Sequence, residues 1–271
     1  MSTTFFAGVV QLNSSKNRSE NLRRVENLLR EASDAGCELV VLPEVFDCFC
    51  EDAEKFELAE PINGGETISF LRELCRELEL ILVAGTMILR SEEPGLVRNR
   101  LHVINPSGEV AAVYDKIHLF DVNLNGKSTY RESQFTKPGI EPIVCETPWG
   151  KMGLSVCYDL RFPEIYREYA RLGAKFLVVP SAFTLKTGMD HWEVLLRARA
   201  IENQCFVLAA NQVGSHAGDL KTWGHSMIVD PWGVVLCQKG EGEGLAVASI
   251  ELERLDSARE TVPCLSHRRI K

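Results

Sequence analysis

One passage of this chain occurs twice. Ala35-Gly-Cys-Glu-Leu-Val-Val-Leu-Pro-Glu-Val-Phe46 is echoed by Arg171-Leu-Gly-Ala-Lys-Phe-Leu-Val-Val-Pro-Ser-Ala-Phe183, with Gly36 against Gly173, Pro43 against Pro180 and Phe46 against Phe183, each pair 137 positions apart. Each copy is an apolar run of strand length, opened by glycine and closed by proline. The likeness continues downstream. The helical periodicity of Ile68, Leu71, Leu74, Cys75 and Leu78 is matched by the helix expected over His191 to Cys205, and the strand from Leu80 to Leu89 by Phe206 to Ala210. The turn tetrad Asn105-Pro-Ser-Gly108 recurs 125 positions later as Asp230-Pro-Trp-Gly233.

Ahead of the first copy, Phe5 to Leu12 reads as a strand. Asn17 to Ala35 reads as an amphipathic helix with Leu22, Val25, Leu28, Leu29 and Ala32 on one face. Asn99 to Tyr114 reads as a hairpin folded about its turn tetrad. Two similar units of strands and helices are thus fused, and each apolar sheet requires cover on both faces. The expected fold is α/β: a four-layer αββα sandwich of two internally duplicated halves, with the sheets face to face and the helices outside. No Gly/Ser/Pro-rich linker divides the halves, so residues 1–271 are expected to form a single domain. The polar stretch Asp121 to Gly139 is long enough to be a functional loop.

Composition narrows the function. A formal net charge of -8 without any Lys/Arg block argues against nucleic acid and anionic membranes as partners. No apolar run has the length of a membrane span, and the N-terminal residues carry no positive charge ahead of their apolar ones, so a cytoplasmic location is expected. Nine scattered cysteines fit reduced thiols better than a disulfide framework. Cys48 and Cys50 form an isolated Cys-x-Cys with no second pair at zinc-site spacing, so no metal is expected. The four tryptophans, 149, 192, 223 and 232, read as core or interface packing.

Chemistry centres on Gly153-Leu-Ser-Val-Cys-Tyr-Asp-Leu-Arg-Phe-Pro-Glu164, a buried strand leading through a sharp turn into a helix that Pro163 can open. Cys157 lies at the turn, where unpaired backbone N–H groups stabilise a thiolate or the oxyanion of acyl transfer. Glu44 directly follows a strand of Leu and Val, where desolvation makes a carboxylate a better proton acceptor. Its counterpart in the second copy is Ser181, so the fold does not demand an acid there. Lys116, in Tyr114-Asp-Lys-Ile-His-Leu-Phe120, offers a fixed positive charge to a tetrahedral intermediate. His118 is the competing base for Cys157, or a structural histidine. Glu132, in Tyr130-Arg-Glu-Ser-Gln-Phe135, is the weakest of these signals. Gly153-Leu-Ser155 begins like a serine-hydrolase elbow, but Cys157 stands where its last glycine is required.

Together, Pro43-Glu44, the Lys116 segment and the Cys157 segment resemble the nitrilase superfamily of carbon–nitrogen hydrolases, whose signature is a Glu-Lys-Cys triad in this chain order. Pro180-Ser-Ala-Phe183 with Thr187-Gly188, His191-Trp-Glu-Val-Leu-Leu-Arg-Ala-Arg-Ala-Ile-Glu202 and Trp223-Gly-His-Ser-Met-Ile-Val-Asp-Pro-Trp-Gly233 are most similar to its deaminated glutathione amidase branch, with the ω-amidases next. The resemblance implies Cys157 as nucleophile, Glu44 as general base, Lys116 as stabiliser of the tetrahedral intermediate, Glu132 as a supporting glutamate and the Tyr158 N–H in the oxyanion hole. It implies that Arg161, Phe183 and Thr187 line the substrate pocket, the arginine suiting a carboxylate through its planar fork. The implied reaction is hydrolysis of deaminated glutathione to 2-oxoglutarate and cysteinylglycine. ω-Amidase, nitrilase and carbamoylase chemistry stay open, water is the only co-reactant, and at least a homodimer is implied. The segment between Phe46 and Gly64 departs from the family pattern just after the catalytic glutamate, where it bears on substrate choice.

Overall fold

The computed structural model describes residues 3–124 and 128–270. The first half runs β1 (Thr4–Gln11), α1 (Arg18–Asp34), β2 (Cys37–Val41), α2 (Lys55–Leu58), α3 (Glu66–Leu78), β3 (Ile81–Arg90), β4 (Val97–Ile104) and β5 (Val110–Asp115). A hairpin of β6 (Asp121–Leu124) and β7 (Ser128–Arg131) follows. The second half runs β8 (Val144–Thr147), β9 (Gly150–Leu154), α4 (Pro163–Arg171), β10 (Ala174–Val178), α5 (Leu185–Asn203), β11 (Phe206–Ala209), β12 (Val213–Ser215), β13 (Lys221–Trp223), β14 (Met227–Val229) and β15 (Val235–Gln238). β16 (Gly244–Glu251) and α6 (Leu252–Thr261) close the described chain.

The duplication read in the sequence is a duplication of sheets. One six-stranded sheet has the order β16-β1-β2-β3-β4-β5, and the other, taken from its opposite edge, β8-β9-β10-β11-β14-β15. Both run antiparallel, parallel, parallel, antiparallel, antiparallel from edge to edge. Strand β16 crosses back from the C-terminal part of the chain to flank β1, so the first sheet is completed only by the far end of the sequence.

Side-chain alternation along the strands assigns each residue to a layer. Phe5, Ala7, Val9, Leu39, Val41, Ile81 and Val83 point toward the second sheet, where they meet Met152, Leu154, Phe176 and Val178 in one continuous core. Phe5 stacks on Trp149 with ring centroids 3.6 Å apart and edges onto Phe176, closing the space between the sheets. The alternate residues Val10, Val40, Leu82 and Ala84 face outward and pack with Val25 and Leu29 of α1 and Leu71, Leu74 and Cys75 of α3. On the other outer face, α4 and α5 cover the second sheet with Tyr166, Tyr169, Trp192, Leu196 and Ala200. The result is the αββα sandwich expected from the duplicated pattern.

Two expectations need correction. Helix α5 begins at Leu185, before His191, because Thr187-Gly188, a turn-like pair in sequence, lies inside its first turns. Gly188 is there because the Trp223 side chain occupies the space that a Cβ would fill. The polar stretch from Asp121 is not one open loop: it contains the β6–β7 hairpin and a 3-10 turn at Glu132–Gln134, while its residues 125–127 lie outside the described residues. Of the tryptophans read as core or interface packing, Trp192 is fully buried and Trp232 is 58% exposed in the single chain, projecting from the Asp230 turn. Among the described residues, no helix is long and apolar enough to cross a membrane.

Gly85 shows how the scaffold sets the site. A Cβ there would collide with the carbonyl oxygens of Leu42 and Pro43, so β3 approaches the chain just before Glu44 more closely than any side chain allows. Gly85→Ala should therefore destabilise the protein by about 1–3 kcal/mol and lower turnover through displacement of Glu44. Urea unfolding with parallel kinetics checks this, and unchanged stability and turnover would contradict it.

Candidate active site

The strands that share the sandwich core end together, and three of those ends carry the polar residues singled out above. β2 runs into Pro43-Glu44, β5 into Lys116, and β9 through Val156 into Cys157, which opens a 3-10 turn to Arg161 before Pro163 starts α4. Two of these junctions hold non-glycine residues in the left-handed region: Val45 at φ 50° and Cys157 at φ 48°. For a β-branched valine this is a marked outlier. Each is held by a bond from its own backbone: the Val45 N–H donates to Thr86 Oγ1 at 2.8 Å and the Cys157 N–H to the Pro180 carbonyl at 2.8 Å. Both loops thus turn sharply at a candidate residue or next to it, at Cys157 and just after Glu44.

Lys116 Nζ lies 3.0 Å from Glu44 Oε1 and 2.8 Å from Glu132 Oε2, all three side chains being buried. Asn99 Nδ2 donates to both carboxylates, to Glu44 Oε1 at 2.8 Å and to Glu132 Oε1 at 3.2 Å. The other Glu44 oxygen accepts from the Ala182 N–H at 2.9 Å, and Glu132 Oε2 also accepts from the Phe120 N–H at 2.7 Å. Ala182 comes from the second copy of the repeat, next to Ser181, so the two equivalent loops meet: the second holds the carboxylate carried by the first.

Burial sets the protonation pattern and the charges then modify it. Burial alone pushes the Lys116 ammonium down, but Glu132 and Glu44 more than reverse this, and the group is held well above the ordinary lysine range. For Glu132, burial pushes up while Lys116, then Lys55 and the hydrogen bonds from Lys116 and the Phe120 N–H, bring it below its ordinary value. The Cys157 thiol is raised, first by burial and next by the neighbouring Glu44 carboxylate, against the opposing pull of Lys116 and the Ala182 N–H. Burial and the Glu44 carboxylate thus both favour the neutral thiol form of Cys157.

A cavity of about 300 Å³ opens over these groups. Its walls include all the residues that the family resemblance implies, Glu44, Lys116, Glu132 and Cys157, with Tyr158, Arg161, Phe183 and Thr187. The Arg161 guanidinium lies over the rings of Phe183 (5.1 Å) and Tyr158 (5.9 Å), and its polar contact is with His191 Nδ1 at 3.3 Å. No carboxylate among the described residues pairs with it.

Matching by family model covers residues 6–260 with the carbon–nitrogen hydrolase model. The chain belongs to the carbon–nitrogen hydrolase family. It is 43% identical over 267 residues to a deaminated glutathione amidase of Synechocystis sp., covering 97% of this chain and 98% of the relative. To the human deaminated glutathione amidase it is 44% identical, covering 96% of this chain and 81% of that one. Among solved structures, Nit3 of Saccharomyces cerevisiae, a member of branch 10 of the nitrilase superfamily, superposes with a TM-score of 0.90 at 31% identity, covering 100% of this chain and 98% of that one. This carbon–nitrogen hydrolase is an amidase with the Glu-Lys-Cys set that such chemistry uses.

His118 is not placed as a base for Cys157 in this hydrolase. Its Nδ1 is bonded to Asp159 Oδ1 at 2.7 Å, its ring stacks on Phe162, and it is absent from the cavity wall. Asp159 is a residue that the sequence reading missed. Fully buried, it accepts from Tyr114 Oη (2.7 Å), the Val156 N–H (2.8 Å) and the His118 N–H (3.0 Å), tying the Cys157 turn to both sides of Lys116. Asn99 was missed as well, although a signal existed: it occupies the inward register of β4 shared by Val97, Leu101 and Val103, where a polar side chain needs buried partners. Among the described residues, no group of three or more His, Cys, Asp or Glu side chains is arranged to hold a metal ion.

The depressed Glu132 gives a pH prediction. A carboxyl whose folded value lies below its unfolded one adds stability that is complete above about pH 4.5 and is lost as the pH falls through the lower folded value. Glu132→Gln should weaken the protein near neutrality and flatten the decline in stability below about pH 4.5. Chemical denaturation of both proteins across that range measures the slopes, and parallel slopes would contradict this account.

Proposed function

We propose that the protein hydrolyses deaminated glutathione to 2-oxoglutarate and cysteinylglycine, with residues 1–271 acting as one catalytic unit. The observation that carries this reading is a guanidinium without a carboxylate partner among the described residues, Arg161, on the wall of the same cavity as the buried Glu44, Lys116 and Cys157. A substrate carboxylate is the natural partner of a planar fork already oriented by two aromatic rings. The names of the relatives at 43–44% identity support the same substrate.

In this reading Glu44 accepts the Cys157 proton as Sγ attacks the amide carbonyl. The oxyanion is met by the Lys116 ammonium and the Tyr158 N–H, which lies at the opening of the 3-10 turn, where backbone donors lack helical partners. Glu44 then gives its proton to the departing amine, leaving a thioester on Cys157. It next deprotonates the water that cleaves this thioester. Glu132 and Asn99 keep Lys116 and Glu44 in register, while Arg161, Phe183 and Thr187 bind the acyl half. An ω-amidase acting on 2-oxoglutaramate uses the same acyl half and differs in releasing ammonia; nitriles and N-carbamoyl compounds lack that half.

Cys157→Ala should lower turnover by at least about 10³-fold with the fold intact, while Arg161→Lys should raise KM chiefly for substrates with a carboxylate on the acyl side. A panel of 2-oxo amides, nitriles and N-carbamoyl compounds, read by released amine, decides the class. An active, folded Cys157→Ala protein would remove the nucleophile, and an equal effect of Arg161→Lys on neutral amides would remove the carboxylate subsite.

The chain is further proposed to act as a homodimer or a higher homo-oligomer, joined through α4 and α5. Met189, Val194 and Ile201 of α5 are 61%, 68% and 50% exposed, and Arg197 Nε, bonded to the Gly233 carbonyl at 2.9 Å, keeps the exposed Trp232 beside them. Light scattering should give at least twice the monomer mass, falling to one in the double variant Val194→Asp, Ile201→Asp; a monomeric wild-type protein would overturn the assignment.

A further inference from the structure

The cavity carries a second cation that the triad chemistry does not use. Lys55 opens the short helix α2, inside the irregular segment between Phe46 and Gly64. Its side chain is only 14% exposed and lines the cavity with Cys48, Cys50 and Asp52. One carboxylate pairs with it, Asp52 at 2.6 Å, itself 39% exposed. Because an ammonium has three donors, that bond leaves capacity for a ligand. Its charge also reaches the reacting groups, being among the influences that hold Glu132 below its ordinary value. Lys55 and Glu132 line the same cavity, Lys55 among residues supplied by the first half, whereas Arg161 lines it with Tyr158, Phe183 and Thr187 of the second.

We infer that Lys55 binds a carboxylate on the amine side of the scissile bond, making the preferred substrate class an amide with a carboxylate on each side of the bond to be broken. This rests on the proposed function, in which Arg161 takes the carboxylate of the acyl half. With one cation for each end, a long substrate is fixed across Cys157. A primary amide, which has no group beyond its nitrogen, gains nothing from Lys55. The Asp52 contact restrains the ammonium at the wall of the cavity, so less rotamer freedom is lost on binding than from a free lysine. The segment is thus a specificity element for the leaving group.

A double-mutant cycle tests this. The substrates are deaminated glutathione, the same compound with its glycine carboxylate masked as a primary amide, and 2-oxoglutaramate; the proteins are wild type, Lys55→Ala and Lys55→Arg. For wild type, masking should lower kcat/KM about tenfold, mostly through KM, as expected for one charge-assisted contact. Lys55→Ala should show a similar loss on the unmasked substrate and little further loss on masking, and Lys55→Arg should restore most of the preference. Loss in equal proportion on all three substrates would mean that Lys55 acts through Glu132 and would overturn the inference. So would an undiminished preference for the free carboxylate in Lys55→Ala. If the wild-type enzyme hydrolyses 2-oxoglutaramate but not deaminated glutathione, the substrate assignment falls and the inference falls with it, an outcome visible before any variant is made.

Discussion

The structure depends on one buried ammonium held between two carboxylates. Lys116, Glu44 and Glu132 come from distant parts of the chain, and each would be costly to bury alone. Together, with Asn99 bridging the carboxylates and the backbone N–H groups of Ala182 and Phe120 completing them, their charges and hydrogen-bonding oxygens find partners. The arrangement also decides the chemistry. The two carboxylates hold the lysine as a cation, while burial favours the neutral thiol at Cys157, as the proposed mechanism requires.

Duplication explains why such a site can form. Two copies of one sheet unit packed face to face bring equivalent loops to the same end of the sandwich, and once they meet they need not stay equivalent. Glu44 in one copy faces the Ser181-Ala182 loop of the other, which carries no acid at the equivalent position and supplies a backbone donor. Asp159 performs the matching task on the other side, binding the turn of Cys157 to the segment of Lys116. The left-handed backbone at Val45 and Cys157 belongs to the same solution, since each chain must turn abruptly at its strand end to present a side chain to the shared pocket.

The walls of the cavity are less symmetric than its floor. One is built from Tyr158, Arg161, Phe183 and Thr187, on the 3-10 turn and the start of α5; the other comes from the irregular segment after Glu44, with Cys48, Cys50, Asp52 and Lys55. The floor is fixed by packed strands, whereas these walls are carried by turns and short helices that can vary without disturbing the sheets. The residues proposed to bind substrate accordingly lie where the fold exerts least control.

The sequence by itself determined the layers and singled out three polar residues that the structure brings to one cavity. Apolar runs of strand length and helical spacing, repeated at a constant offset, leave few ways to cover both faces of two sheets, and Glu44, Lys116 and Cys157 each follow such a run. It did not determine which polar groups would surround them. Asn99, Asp159 and the Ala182 N–H act through contacts between residues far apart in the chain, and no local pattern records which strand ends will meet. Helix α5 was misread at its start for the same reason, because Gly188 is explained by a tryptophan from β13 rather than by its own neighbours. Local periodicity reports how a segment is buried; only the closed sandwich decides what it is buried against.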